Sequence, residues 1–275
     1  MTRASAHPGD ISNRQQFVTY YAAASATAAA RQRFVALRDV ALRLVATSDG
    51  TLSVADIGCN AGTSSAVWAE LGHRVHGLDI SADLLRLARD RTSEAGLVVN
   101  FCLGSATALP WADETMHVCV VIELLEHIAD WRACVDECAR VLRPGGVLVV
   151  STTNWLSPRQ SEFALPLYSW YPARLKRRCE HLAATTRPWL ANHATYPAVN
   201  WFSFFGLRRE LSARGFRSLD RFDVIDATVK SSPVRWLLAA IHRVPALRYL
   251  AHVLTPYTFV VAVKDRRGAG NTQSV

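Results

Sequence analysis

The chain has 275 residues, of which 50% are hydrophobic and 20% are charged, and its formal net charge is +8. This length allows one well-packed α/β domain with insertions and is short for two full domains. The positive charge fits either an ordinary basic surface or an anionic partner, namely nucleic acid, a phosphorylated substrate or an acidic membrane.

Five short apolar runs alternate with helical patterns after an alanine-rich start. The start, helical over 16–46, is expected to form an N-terminal helical cap spanning 1–46. The apolar runs predict buried parallel strands at 52–57, 74–79, 98–103, 116–122 and 147–152. Helices are predicted between them at 64–71, 81–95 and 130–142. The alternation implies right-handed crossovers and a doubly wound parallel sheet in a core spanning 47–155.

The alternation stops after residue 153. Residues 156–200 are rich in Trp, Tyr, Pro and Arg and are expected to form an irregular lid or acceptor insertion. Residues 201–266 are expected to complete a mostly parallel, seven-stranded α/β sheet. Their predicted elements are a helix at 204–214, strands at 217–224 and 258–263, and a helical insertion at 233–254 interrupted by Pro245. The tail at 267–275 is expected to be disordered.

The loop after the first predicted strand has the residue types that hold an adenosyl ligand. Asp56 ends the strand, and Gly58 and Gly62 permit a tight turn and a close approach of backbone to ligand. The following helix offers free N–H donors. Asp79, at the end of the second strand, can accept from both hydroxyls of a ribose, although it could instead cap the next helix. Dinucleotide-binding loops look alike, so this pattern by itself indicates a nucleoside binder.

Five segments in order resemble class I S-adenosylmethionine (SAM)-dependent methyltransferases of the type 11 and ubiquinone-biosynthesis O-methyltransferase kind. They are 54–62, 78–81, 104–111, 123–128 and 141–146. The resemblance implies a Rossmann-like fold, SAM as the cofactor and S-adenosylhomocysteine as its product. The cofactor-binding residues that it implies are Asp56, Gly58, Cys59, Asn60, Gly62, Asp79, Ile80, Ser105, Ala106 and Glu123. A nicotinamide dehydrogenase is not expected to carry the last two segments.

The sequence departs from the family pattern at two cofactor positions. Asn60 stands where the family has a glycine, and asparagine tolerates positive φ better than other side chains do. Ser105 stands where the family has an aspartate that accepts from the adenine amino group. The hydroxyl of Ser105 or the backbone of Ala106 would then carry adenine recognition. His117 replaces a further aspartate, before the fourth strand.

Glu123, Glu126 and His127 follow the fourth strand directly, where ligands bind in open parallel sheets. The plain interpretation is that the glutamates cap a helix and the histidine packs beneath the loop. In a second interpretation His127 is a general base, since its ordinary pKa near 6.5 suits that role. In a third, the trio binds Mg²⁺, as a similar segment is associated with Mg²⁺ in ubiquinone-pathway and small-RNA 2′-O-methyltransferases. His181 and His193 are candidates for a further ligand.

The acceptor is expected to be a small molecule that is hydrophobic or lipid-linked. Aromatic residues at 165–172 stand beside Arg174, Lys176, Arg177 and Arg178, which suits a membrane interface, a phosphate-bearing substrate, RNA or a basic lid. No nucleic acid is expected, because no RNA-binding module is appended. The residues predicted to contact substrate are Tyr20, Tyr21, Asn154 and His193.

The sequence therefore predicts methylation of a hydroxyl on an aromatic, natural-product, glycosidic or prenylated molecule. The alternatives are C- or N-methylation on the same fold, and a non-catalytic SAM-binding or membrane-surface module.

Six cysteines without a CxxC pair indicate neither a zinc site nor a disulfide framework. Residues 1–14 lack the apolar core of a signal peptide, and no apolar run reaches the length of a membrane span. A cytoplasmic protein, at most peripheral to the inner face of a membrane, is expected.

Overall fold

The computed structural model describes residues 19, 22–46, 50–191, 198–226 and 230–266. Three of the predicted substrate contacts, Tyr20, Tyr21 and His193, lie outside these residues, as does the predicted tail at 267–275.

The described residues form a seven-stranded sheet in the order β3-β2-β1-β4-β5-β7-β6. The strands are β1 (Ser53–Ile57), β2 (Arg74–Asp79), β3 (Val99–Leu103), β4 (Met116–Ile122), β5 (Leu142–Thr153), β6 (Phe216–Asp220) and β7 (Tyr257–Lys264). Strands β1 to β5 pair in parallel, and β7 runs antiparallel between β5 and β6. The predicted mostly parallel, doubly wound sheet is confirmed.

Helices cover both faces of this sheet. They are α1 (Ala28–Leu44), α2 (Thr63–Ala69), α3 (Ala82–Glu94), α4 (Trp131–Val141), α5 (Ala173–Thr185), α6 (Phe204–Ser212), α7 (Arg221–Val224), α8 (Ser232–Arg243) and α9 (Pro245–Val253). Side chains cap several of them as the sequence suggests: Ser81 accepts from the Leu84 amide and Asp130 from the Ala133 amide. Strand β4 is buried through its first six residues and β5 through its last nine, so the core lies at the centre of the sheet.

Three predicted elements differ from the structure. The continuous helix at 16–46 is interrupted, because the Thr27 hydroxyl accepts from the Ala30 amide and begins a new helix there. The strand at 217–224 ends at Asp220, whose carboxylate accepts from the Phe222 and Asp223 amides and starts α7. The insertion at 156–200, predicted to be irregular, contains the 13-residue helix α5.

Candidate active site

The loop between β1 and α2 turns through backbone conformations that favour glycine. Gly58 has φ +74° and Gly62 has φ +82°. A Cβ on Gly62 would lie 2.9 Å from the Cβ of Ala88, so α3 packs directly against the loop. The amides of Gly58 and Cys59 both donate to the Leu78 carbonyl, which joins the loop to the end of β2. The predicted tight turn is present, and Asn60 adopts φ +52°, the positive φ that asparagine was expected to tolerate at this position.

Asp79 is bound to this loop and to the next helix at the same time. Its Oδ2 accepts from the Asn60 amide at 2.8 Å, and its Oδ1 accepts from the Ser81 amide at 2.9 Å. Asp79 therefore both supports the start of α3 and fixes the loop between β1 and α2.

Asp56 lies beneath the loop rather than on its open side. It is 3% exposed, and its Oδ2 accepts from the Ser65 hydroxyl at 2.6 Å. Burial raises the pKa of Asp56 to about 6, against the lowering effect of hydrogen bonds from Ser65 and Ser64. Asp56 thus holds the first turn of α2 against the end of β1.

Two large apolar side chains stand open at the ends of β2 and β3. Ile80 is 55% exposed and Leu103 is 61% exposed, and Leu103 is the strand partner of Asp79. In the loop that follows, the Ser105 hydroxyl accepts from the Thr107 amide and pairs with the Thr107 hydroxyl at 2.8 Å. Ala106 packs against the core. These residues form an open apolar edge beside Asp79.

Glu123 is held rigidly at the end of β4. It adopts φ +52°, and its amide donates to the Ser151 carbonyl at 2.7 Å. Arg33 of α1 reaches across to it: Nη1 lies 2.5 Å from Glu123 Oε1, and Nη2 donates to the Ser151 hydroxyl at 3.0 Å. The cap therefore supplies a cation to the end of β4, a contact that no sequence motif indicates.

Glu126 and Glu162 place one buried and one half-buried carboxyl group near Glu123. Glu126 is 1% exposed, and its Oε2 accepts from the Thr152 hydroxyl at 2.8 Å. Burial raises the pKa of Glu126 to about 8, and the charges of Glu162 and Glu123 add to this rise. Burial and the charge of Glu123 raise the pKa of Glu162 to about 7. Glu162 comes from the insertion, and no local motif marks it in the sequence.

His127 is partly buried, and its Nδ1 is fully covered and has no hydrogen-bond partner among the described residues. Burial lowers the pKa of His127 to about 4, although the charge of Glu123 raises it. The imidazole is therefore neutral at pH 7, and it is a weaker base than an imidazole with the ordinary pKa of 6.5.

The described residues contain no group of three or more His, Cys, Asp or Glu side chains arranged to hold a metal ion. Glu123 is paired with Arg33, and Glu126 accepts from Thr152, so the carboxylates are engaged elsewhere. His181 lies exposed on α5. The Mg²⁺ hypothesis thus gains no support from the described geometry.

Asn154 has an architectural role instead of the predicted substrate contact. It is 2% exposed, its Nδ2 donates to the carbonyls of His252 and Thr255, and its Oδ1 accepts from the Leu156 amide. Both of its amide hydrogens are used and the side chain is buried, so Asn154 joins β5 to the end of α9 and is not open to a substrate.

Comparison with known proteins agrees with this geometry. Residues 55–150 match the family model described as a methyltransferase domain. A ubiquinone biosynthesis O-methyltransferase of Cupriavidus pinatubonensis is 40% identical over 102 residues, which cover 37% of this chain and 41% of that protein. The enzyme of the same name from Parvibaculum lavamentivorans is 37% identical over 99 residues, 36% of this chain and 39% of that protein. The matched segment thus spans about two fifths of these relatives.

Two solved structures are similar over most of the chain. The YcgJ protein of Bacillus subtilis has a TM-score of 0.53 at 17% identity, covering 84% of this chain and 98% of its own. A geranyl diphosphate methyltransferase, solved with GPP and sinefungin, has a TM-score of 0.52 at 17% identity, covering 86% and 83%. At this identity the likeness concerns the fold. Residues 55–150 therefore resemble a methyltransferase domain, and the described sheet has the fold of the YcgJ protein and of the geranyl diphosphate methyltransferase.

Proposed function

We propose that this protein transfers the methyl group of SAM to a hydroxyl of a small-molecule acceptor. The observation that carries the proposal is the match of residues 55–150 to a methyltransferase domain. In the structure, the loop after β1 is bound to Asp79 at the end of β2, since the Asn60 amide donates to the Asp79 carboxylate. The name of the matched relatives, O-methyltransferase, favours a hydroxyl as the methylated group.

The residues at the ends of β1, β2 and β3 fit SAM. Gly62 lets the loop backbone pack closely against α3, and Asp79 stands beside this loop at the end of β2, where the ribose hydroxyls would approach it. Ile80 and Leu103 expose apolar surface that an adenine ring would cover. Ser105 and Ala106 lie in the adjoining loop, where they would contact the adenine edge. When bound, SAM supplies an electrophilic methyl group on a sulfonium.

The residues after β4 act on the acceptor in this proposal. Arg33 and the Ser151 carbonyl hold Glu123 in place, so the strand end presents a fixed surface. The acceptor hydroxyl gives its proton to the neutral imidazole of His127, which takes it at Nε2 because Nδ1 is fully covered. Alignment of the nucleophile with the methyl group supplies most of the rate enhancement, and the base assists.

An aromatic hydroxyl, on a ring that can carry an apolar chain, is the acceptor class that we favour. Natural-product and glycosidic hydroxyls belong to the same proposal. Titration calorimetry with SAM and S-adenosylhomocysteine tests cofactor binding, and the absence of binding would leave a non-catalytic module. Methyl transfer from radiolabelled SAM to 3,4-dihydroxybenzoate, compared with transfer to an arylamine and to an enolisable ketone, then shows which kind of acceptor atom is methylated. A preference for the amine or the ketone would replace the proposed O-methylation by N- or C-methylation. Loss of turnover in EDTA with rescue by Mg²⁺ would establish a metal.

Attachment to an anionic membrane surface is a second candidate. Apolar side chains are exposed on α5, α8 and the end of α9, where Leu175 is 43%, Trp236 is 74% and Leu254 is 66% exposed. Exposed arginines, including Arg177 and Arg178, accompany them. None of the described helices is long and apolar enough to span a bilayer. Flotation with phosphatidylglycerol liposomes, lost when Arg177 and Arg178 become Glu, would support attachment, whereas no flotation at low salt would end it.

A further inference from the structure

A cavity that opens to solvent lies where the insertion packs against the chain that follows β5. None of the residues proposed to bind SAM lines it, nor does Glu123, and its volume of about 570 Å³ is within the range of small-molecule sites. Its lining consists of aromatic residues, one serine and one lysine: Trp155, Ser169, Trp170, Tyr171, Lys176 and Trp201.

The walls of this cavity are fixed by their own contacts. The Trp170 indole donates to the Leu156 carbonyl at 3.1 Å. Behind the lining, the rings of Phe163 and Tyr168 stack at 4.0 Å, and Tyr168 meets Trp201 edge-on at 5.6 Å. The cavity is therefore preformed, so a ligand would not have to order its walls.

Lys176 brings a cation into this aromatic lining without an ion pair. Its Nζ donates to the Ser169 carbonyl at 2.8 Å and lies 4.5 Å from the centre of the Trp201 ring. Among the described residues Lys176 has no ion pair within 4.0 Å. The charge of Glu180 acts on Lys176 from a greater distance, and its carboxylate accepts from the Tyr168 hydroxyl at 3.5 Å. Burial lowers the pKa of Lys176, which reflects the cost of desolvating an ammonium group. An anion in the cavity would offset that cost.

We propose that this cavity binds an organic anion with an apolar body. The carboxylate or phosphate of the ligand pairs with the Lys176 ammonium. The apolar body covers Trp155 and Trp170, which are 45% and 52% exposed without it. The two donors that remain on Nζ after the Ser169 contact suit an oxyanion.

The cavity adjoins the methyl-transfer site without being part of it. Asn200, which precedes Trp201, donates from its amide to the Glu126 carbonyl at 3.1 Å. The binding of such an anion requires no SAM, so it can be tested independently of methyl transfer.

Titration calorimetry of the full chain with 1-naphthyl phosphate tests the proposal, with 1-naphthol and inorganic phosphate as the two halves of the ligand. We expect the whole ligand to bind at least about 10-fold more tightly than either half. Lys176→Met should weaken its binding about 10-fold, and Trp170→Ala should weaken it several-fold. Lys230→Met, an exposed lysine on another part of the surface, is the matched control and should bind like the wild type.

Vesicles distinguish the source of the anion. If it is a lipid headgroup, Lys176→Met should also reduce flotation with vesicles of phosphatidylglycerol in phosphatidylcholine. If it is a soluble molecule, Lys176→Met should weaken 1-naphthyl phosphate binding and leave flotation unchanged. Binding of 1-naphthol as tightly as 1-naphthyl phosphate would overturn the proposal. Wild-type affinity in both Lys176→Met and Trp170→Ala, each with an unchanged melting temperature, would also overturn it.

Discussion

Replacing Glu126 by glutamine should change how the stability of the protein depends on pH. The carboxyl group is 1% exposed and its oxygen accepts from the Thr152 hydroxyl. Burial raises its pKa from 4.5 to about 8. Glutamine keeps the shape and an acceptor for Thr152, and it removes the titration.

The sign follows from proton binding. Between pH 4.5 and about 8 the folded protein holds a proton on Glu126 that the unfolded chain has lost. The contribution of Glu126 to stability is therefore fully present below pH 4.5 and is lost as the pH rises to 8. A shift of this size corresponds to about 5 kcal/mol at most, at about 1.4 kcal/mol per pKa unit.

Urea unfolding of the wild type and Glu126→Gln between pH 5.5 and 8.5 measures this effect. The variant should gain about 3–4 kcal/mol relative to the wild type across the range, because only the wild type must ionise a buried carboxyl. Other titrating groups are common to both proteins and cancel in the difference. Glu94→Gln, at an exposed position on α3, is the control and should show no such trend. A stability difference that is constant with pH would refute the reasoning.

Three further substitutions test the cofactor loop and its cap. Gly62→Ala should lower the free energy of unfolding by about 2–4 kcal/mol, read from chemical denaturation, because φ is +82° and the new Cβ would meet Ala88 at 2.9 Å. Asp79→Asn should weaken SAM binding about 10- to 100-fold in calorimetry, since an amide nitrogen would face backbone N–H donors; unchanged affinity would remove the ribose role. Arg33→Met should change stability by less than about 1 kcal/mol, because its ion pair with Glu123 is 40% exposed on each side. Its kcat should nevertheless fall several-fold, and an unaltered kcat would argue against the positioning of Glu123.

The parts of the fold that were predictable are those that local sequence dictates. Strands β2 and β4 match their predicted bounds, and β4 was predictable because it is a nearly continuous apolar run between Thr115 and Glu123. The tight turn after β1 followed from its glycines. The start of α7 was wrongly predicted as part of a strand, although Asp220 and Asp223 form a capping box whose spacing is visible in the sequence. Helix α5 was also missed, although it follows Pro172 and is rich in strong helix formers.

The candidate site was less predictable because its contacts join distant parts of the chain. Arg33 and Glu123 are 90 positions apart, and Glu162 reaches the end of β4 from an insertion with no family motif. The lowered pKa of His127 depends on how deeply the folded chain buries it, which the residue type alone does not reveal. Asn154 resembled a site residue by position, yet it is buried and both of its amide hydrogens bond to the end of α9.

The identity of the base can be decided from the pH dependence of kcat/KM, which reports the pKa values of essential groups in the free enzyme. The pKa of His127 lies at about 4 and that of Glu126 at about 8, so the two candidates predict different profiles. If His127 accepts the proton, kcat/KM should be flat from pH 6 to 8 for an acceptor whose hydroxyl does not ionise in this range. Glu126→Gln should retain that profile, and His127→Ala should lose about 100-fold in turnover. A rate that rises tenfold per pH unit up to pH 8, and that is lost in Glu126→Gln but kept in His127→Ala, would transfer the role to Glu126. In that case the buried carboxyl that destabilises the fold on ionisation would be the group that the reaction requires in its ionised form.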